Sequence, residues 1–250
     1  FGISFADGIK CMIKSNEKQL TDDDDEEEMT KFEQWLSDKL GDKLVPVIML
    51  IGTVIGIAVA LCLFKFLPMF LSSLLEKIGV GRIGINICEG VLKILLLVGY
   101  MWVISLTPDI ATTFRYHGAE HKTIACYEAE LPLTVENIRK QTRFHPRCGT
   151  SFLLIVVLLN IFVNMFLPYG SANMLLRFCL QLLLLAPIAS VSYELIKLAG
   201  RYDNLFTKII SAPGLWLQHI TTKEPTDKQI EVAIAAMEKV IPENREDDKW

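Results

Sequence analysis

Four long apolar stretches divide an otherwise polar chain: Leu44 to Phe70, Val91 to Ile110, Ser151 to Leu167 and Met174 to Leu198. Each is close to the ~20 residues with which a helix crosses the ~30 Å hydrocarbon core of a bilayer. Lys65 lies near the far end of the first stretch and Lys93 near the start of the second, where a long side chain can snorkel to the interface. Together the four predict an all-α, polytopic membrane protein with about four transmembrane helices. Asn160 and Asn164 fall on one face of the third span and Gln181 lies in the fourth, positions suited to hydrogen bonds between helices. Pro187 predicts a kink in the fourth span, and Pro168-Tyr169-Gly170 a tight turn before it.

The flanks have other patterns. Residues 1–43 begin with helically spaced apolar positions and reach the run Asp22-Asp23-Asp24-Asp25-Glu26-Glu27-Glu28, which repels itself and reads as a disordered, solvated linker. No charged n-region with a cleavage site precedes them, so no signal peptide is read. Residues 44–200 form the transmembrane domain, with a polar segment at 111–150. Residues 201–250 read as interfacial and soluble amphipathic helices: Tyr202 to Ile220 skims the interface and breaks at Pro213-Gly214. Thr226 with Gln229 then forms a capping box, opening a helix with apolar positions Ile230, Ala233, Ile234, Met237 and Ile241.

An even number of spans puts both flanks and 111–150 on one side. That middle segment carries Arg115, Lys122, Arg139, Lys140, Arg143 and Arg147, against mainly Lys77 and Arg82 opposite. The positive-inside bias therefore makes the 111–150 face and both termini cytoplasmic.

Composition agrees: 51% of residues are hydrophobic and the net charge is −4. No basic stripe with interleaved aromatics suggests nucleic acid. The six cysteines are scattered. Cys62, Cys88 and Cys179, in or beside apolar stretches, read as small buried hydrophobes in a reducing setting and not as a disulfide framework.

Three of the four histidines fall between residues 117 and 145. His117 and His121 are one helical turn apart and project from the same face. His145 and Cys148 form a second close pair. Together these four offer the nitrogen and sulfur ligands that zinc takes in a tetrahedron. If all four bind, the site is closed and structural; if one stands off, a water can enter and be activated. Glu120, in His117-Gly118-Ala119-Glu120-His121, has the order of the inverted zinc-protease motif and is the candidate catalytic base, with Glu128 as another proton acceptor. Cys126 is the weakest candidate thiolate, and His219 beside Trp216 reads as an interface residue.

The strings Tyr116-His117-Gly118-Ala119-Glu120-His121-Lys122 with Tyr127-Glu128, Leu133-Thr134, His145 through Phe152, Pro213 through Gln218 and Thr221 through Thr226 resemble the YqhQ-like family of bacterial membrane proteins, a domain-of-unknown-function family described as predicted metal-dependent enzymes. The resemblance runs from about Leu44 to Val240. It implies functional positions at His117, Glu120, His121, His145 and Cys148, and a polar entry to the second span at Glu89-Gly90. A glycine-rich N-terminal segment with a Glu, seen in the family, is absent here, so a ligand from that segment would be missing. The resemblance places the chain in a bacterial cytoplasmic membrane. Two functions follow as expectations: a zinc metalloprotein with a hydrolase site at the cytoplasmic face, or a non-catalytic scaffold for translocation, insertion or envelope assembly whose metal is structural. Expected partners are membrane lipids and a membrane-protein partner or second copy.

Overall fold

In a computed structural model the chain is all-helical across the described residues, which are 7, 8, 10, 11, 14, 44–77, 79–166, 174–202 and 204–242. The acidic run, the Pro168-Tyr169-Gly170 turn and the last eight residues lie outside them. The chain divides into two units, Phe1–Leu63 and Phe64–Trp250. In the first, α1 (Leu44–Leu61) is apolar throughout, and its side chains from Leu50 to Ala60 are exposed, as a lipid-facing helix requires.

A π-helical stretch, Cys62–Phe66, leads into α2 (Leu67–Glu76). Pro68 explains the change of winding, because it has no N–H to give the carbonyl of Phe64. The second unit continues with α3 (Arg82–Ile104), α4 (Pro108–Glu128), α5 (Val135–Arg139), α6 (Gly149–Phe166), α7 (Met174–Leu183), α8 (Leu185–Arg201), α9 (Leu205–Thr221) and α10 (Asp227–Glu238). Among the described residues four stretches are long and apolar enough to cross a membrane: Leu50–Leu75, Ile83–Ile104, Gly149–Phe166 and Phe178–Arg201.

Helix α6 is the hub and packs against α3, α8 and α9. Gly90 lets α3 approach, since a Cβ there would lie 2.7 Å from the side chain of Ile161. The second span starts earlier than its apolar run suggests. Helix α3 begins at Arg82, so Glu89 and Lys93 lie inside the span, both buried and joined at 2.6 Å. The fourth span is interrupted at Leu184. Pro187 accounts for this break too, because it leaves the Leu183 carbonyl without its i+4 donor. Cys62, Cys88 and Cys179 are exposed on helix flanks and not buried as expected; all six cysteines are free.

Helix α9 is continuous through Pro213 and is not broken there. One face closes onto α6, where a Cβ on Gly214 would fall 2.4 Å from Ser151. That packing outweighs the single hydrogen bond lost at the proline. The other face exposes Leu205, Phe206, Ile209 and Trp216, as a membrane-interface helix does.

A separate core gathers α4, α5 and α10 through Ala119, Cys126, Ile138 and Ile230. Full burial of Ile138 and Ile230 is worth about 1.5–3 kcal/mol each. The expected capping box starts α10, with Thr226 N–H donating to Gln229 Oε1 at 2.9 Å.

Candidate metal centre

The site forms where α4, the 143–148 loop and the end of α9 converge. Between α4 and the segment that follows α9 the fit is backbone against backbone. Lys223 N–H donates to the Phe114 carbonyl at 2.8 Å, and a Cβ on Gly118 would lie 2.0 Å from the Lys223 carbonyl oxygen. Glu224 then pairs with buried Lys122 at 2.9 Å and with Arg143 at 3.0 Å. On the other side, Gln218 is fully buried and holds the His145 peptide by both ends. Its Oε1 accepts from His145 N–H at 2.8 Å and its Nε2 donates to the His145 carbonyl at 2.7 Å and to Ser151 Oγ at 2.9 Å.

These contacts bring His117, His121 and Cys148 together, with one ligand atom of each within 4.8 Å of the others. His117 Nδ1 lies 2.8 Å from the Thr221 carbonyl, and His121 Nδ1 2.6 Å from that of Arg143. A carbonyl only accepts, so both Nδ1 atoms carry hydrogen and both Nε2 atoms present a lone pair when the rings are neutral. His117 Nε2 is 3.2 Å from Cys148 Sγ. Zinc bonds of about 2.0 Å to nitrogen and 2.3 Å to sulfur would set those two atoms about 3.5 Å apart in a tetrahedron. The three donors and their carbonyl anchors could therefore hold a metal ion.

His145 has other partners. Its Nδ1 accepts from Arg147 N–H at 3.3 Å, so a neutral ring carries its proton on Nε2, which faces Glu128 at 3.5 Å. That distance is too long for a well-formed hydrogen bond. The ring centroid is 5.7 Å from that of His121, so the residue borders the three-donor group without joining it. Glu128 also pairs with Arg147, and the contact with His145 holds its carboxyl below the usual range. Glu120 is exposed and acts on the site through its charge, one of the influences raising the His117 pKa. Cys126 sits in the apolar core, where burial pushes its thiol up. His219 bonds the Trp216 carbonyl and stacks near Phe144, apart from the site.

Cys148 occupies the position just before α6 and accepts the first turn, Phe152 N–H donating to its carbonyl at 3.0 Å. Burial pushes the thiol up, but hydrogen bonds with His117, His121 and Thr150 outweigh it and bring the pKa down to about 5. The positive end of an 18-residue helix favours the same thiolate. For His117, burial lowers the pKa, and the Cys148 contact together with the Thr221 carbonyl and the Glu120 charge more than reverses it. Gln218 and the Thr221 carbonyl were not among the sequence candidates. Their signal was the stripe Gly214, Leu217, Gln218 and Thr221, whose i, i+3, i+4, i+7 spacing marks a buried face.

Residues 3–243 match the family described as "Protein of unknown function (DUF1385)". The chain belongs to this family. It is 35% identical over 237 residues to the "Uncharacterized protein YqhQ" of Bacillus subtilis (strain 168), covering 94% of this chain and 73% of that relative. No solved structure matches it. For this DUF1385 member the three-donor group is thus read from its own geometry.

Proposed function

We propose that the protein is an integral-membrane metalloprotein in which His117, His121 and Cys148 hold one zinc ion at the cytoplasmic face and support hydrolysis. One observation carries this reading: two imidazoles, each anchored through Nδ1–H to a backbone carbonyl, direct Nε2 toward the same thiolate. Carbonyl anchoring of this kind fixes the tautomer and raises ligand basicity. Zinc would supply Lewis acidity, and three protein ligands match the donor count of catalytic zinc sites. The His145–Glu128 pair is the group best joined to this centre for handling a proton. The Glu128 carboxylate faces His145 Nε2 at 3.5 Å, while Glu120 stands at the exposed edge of α4.

A second reading has its own support. His121 and Cys148 are 3% and 5% exposed, and their anchors tie α4, the 143–148 loop and α9 together. A closed metal here would lock a membrane scaffold.

Elemental analysis of purified variants separates the two. Catalytic zinc predicts one metal per chain in the wild type and in His145→Ala, with affinity lost ~10–100-fold or more in His117→Ala and Cys148→Ser. Loss of zinc from His145→Ala as well would make it a fourth ligand and favour the scaffold. A wild type that never takes up metal would end both readings.

A further inference from the structure

The interior of the spans holds a second polar system, far from the histidines. On α3, Asn86, Glu89 and Lys93 occupy one face over about 10 Å of helix rise, and all three are buried. On α6, which runs antiparallel beside it, Asn164 and Asn160 descend in the opposite order. Asn86 Nδ2 donates to the Asn164 carbonyl at 3.2 Å, and Asn164 Nδ2 donates to the Asn160 carbonyl at 2.6 Å. Deeper in, the Glu89 carboxylate takes Lys93 at 2.6 Å, Ser72 Oγ at 3.3 Å and Gln181 Nε2 at 3.5 Å. Four helices thus contribute to one buried column.

Helix–helix bonding does not use all of its capacity. Asn160 Nδ2 and Gln181 Oε1 are buried without a hydrogen-bond partner, and Gln181 is wholly enclosed. One is a donor and the other an acceptor. Hydrocarbon can satisfy neither, and water can satisfy both. An open surface depression of about 660 Å³ lies beside the sequence neighbours of Asn86 and Asn164, lined by Gly81, Ile83, Gly84, Met165 and Phe166. Toward the other end the same two helices turn apolar, and Leu97, Leu154 and Leu217 pack into a buried cluster.

We infer that this column is a half-channel that admits water and small hydrophilic solutes from the membrane face away from the histidines and ends at Glu89 and Lys93. The buried charge pair is then hydrated inside the span. The apolar layer keeps that water from the thiolate and imidazoles beyond it.

Cysteine accessibility in the full chain, reconstituted in lipid, tests this with a small charged methanethiosulfonate and peptide-level mass readout, so that native cysteines are counted separately. Asn164→Cys and Asn160→Cys should label ~10-fold or more faster than lipid-facing Ile87→Cys, because a thiol must meet water to ionise. Leu154→Cys should stay unlabelled. Asn86→Cys replaces either asparagine variant that fails to purify as a single species. Column positions no faster than Ile87→Cys would show a dry helix contact, and a labelled Leu154→Cys would remove the seal; either result overturns the half-channel.

Discussion

Cys148 is where several weak local effects add to a chemical property. Burial alone would keep it a thiol. Two imidazoles, a threonine hydroxyl and a helix N-terminus turn it into a thiolate below neutral pH. Its folded pKa of about 5 lies below the unfolded value near 8.5. The stability it contributes is therefore fully present above the unfolded value and lost as pH falls through 5. His117 has the opposite sign. Its raised pKa contributes stability below the ordinary histidine value and loses it as pH climbs through the folded one. Thiolate and imidazolium thus coexist in the window between those two folded values. Metal-free protein should lose the thiolate ultraviolet absorbance assigned to Cys148, as the wild-type minus Cys148→Ser difference, near pH 5. A midpoint near 8.5 would mean that the imidazoles do not face the sulfur.

The elements were legible to the extent that one periodicity governs them. Continuous apolar runs marked the four spans, and the capping residues marked α10. Positions set by contact with another helix were not legible. The start of α3 is one example, because Asn86 and Glu89 look like loop residues until α6 and α7 supply their partners. Pro213 is another: the packing of Gly214 on Ser151 keeps α9 whole. At the site, the helical spacing of His117 and His121 sets both in the three-donor group, while the His145 ring faces Glu128, its backbone held by Gln218 in a way that spacing does not encode. Gly118 shows the same lesson as a testable case. Within a helix, Gly→Ala should gain up to about 1 kcal/mol. Here the new Cβ would meet a backbone carbonyl at 2.0 Å, and the 222–226 segment would have to move off α4. Gly118→Ala should therefore lose about 1–3 kcal/mol net, by the usual cost of overpacking, and lower the melting temperature in detergent. Gly99→Ala, with nothing within 4 Å of its Cβ, should not. Equal melting temperatures for the two variants would show that the 222–226 segment does not dock on α4 in this way.

On the scale of the whole molecule, the side of the membrane on which the site lies decides whether its chemistry can exist. A thiolate that ligates zinc must stay reduced, and the free cysteines Cys126 and Cys148 sit together in the segment between the second and third spans. That segment is also where most of the loop lysines and arginines gather, although several are already committed. Lys122 and Arg143 hold Glu224, Arg139 holds Asp227, and Arg147 holds Glu128. Pairing does not weaken the orientation argument, because the positive-inside bias counts Lys and Arg residues before folding and not net charge. On the proposed orientation, residues 108–148 and 204–242 lie on the cytoplasmic side, with 79–81 opposite. A fluorescent protein fused after residue 250 should fluoresce, and a periplasmic phosphatase fused there should be inactive. The phosphatase inserted between Gly79 and Gly81 should be active. The reversed pattern would expose Cys148 to an oxidising compartment and defeat the zinc site together with the orientation. The same pattern at both insertion points would instead change the number of spans while leaving the three-donor cluster intact, since that cluster rests on contacts among α4, α9 and the loop before α6.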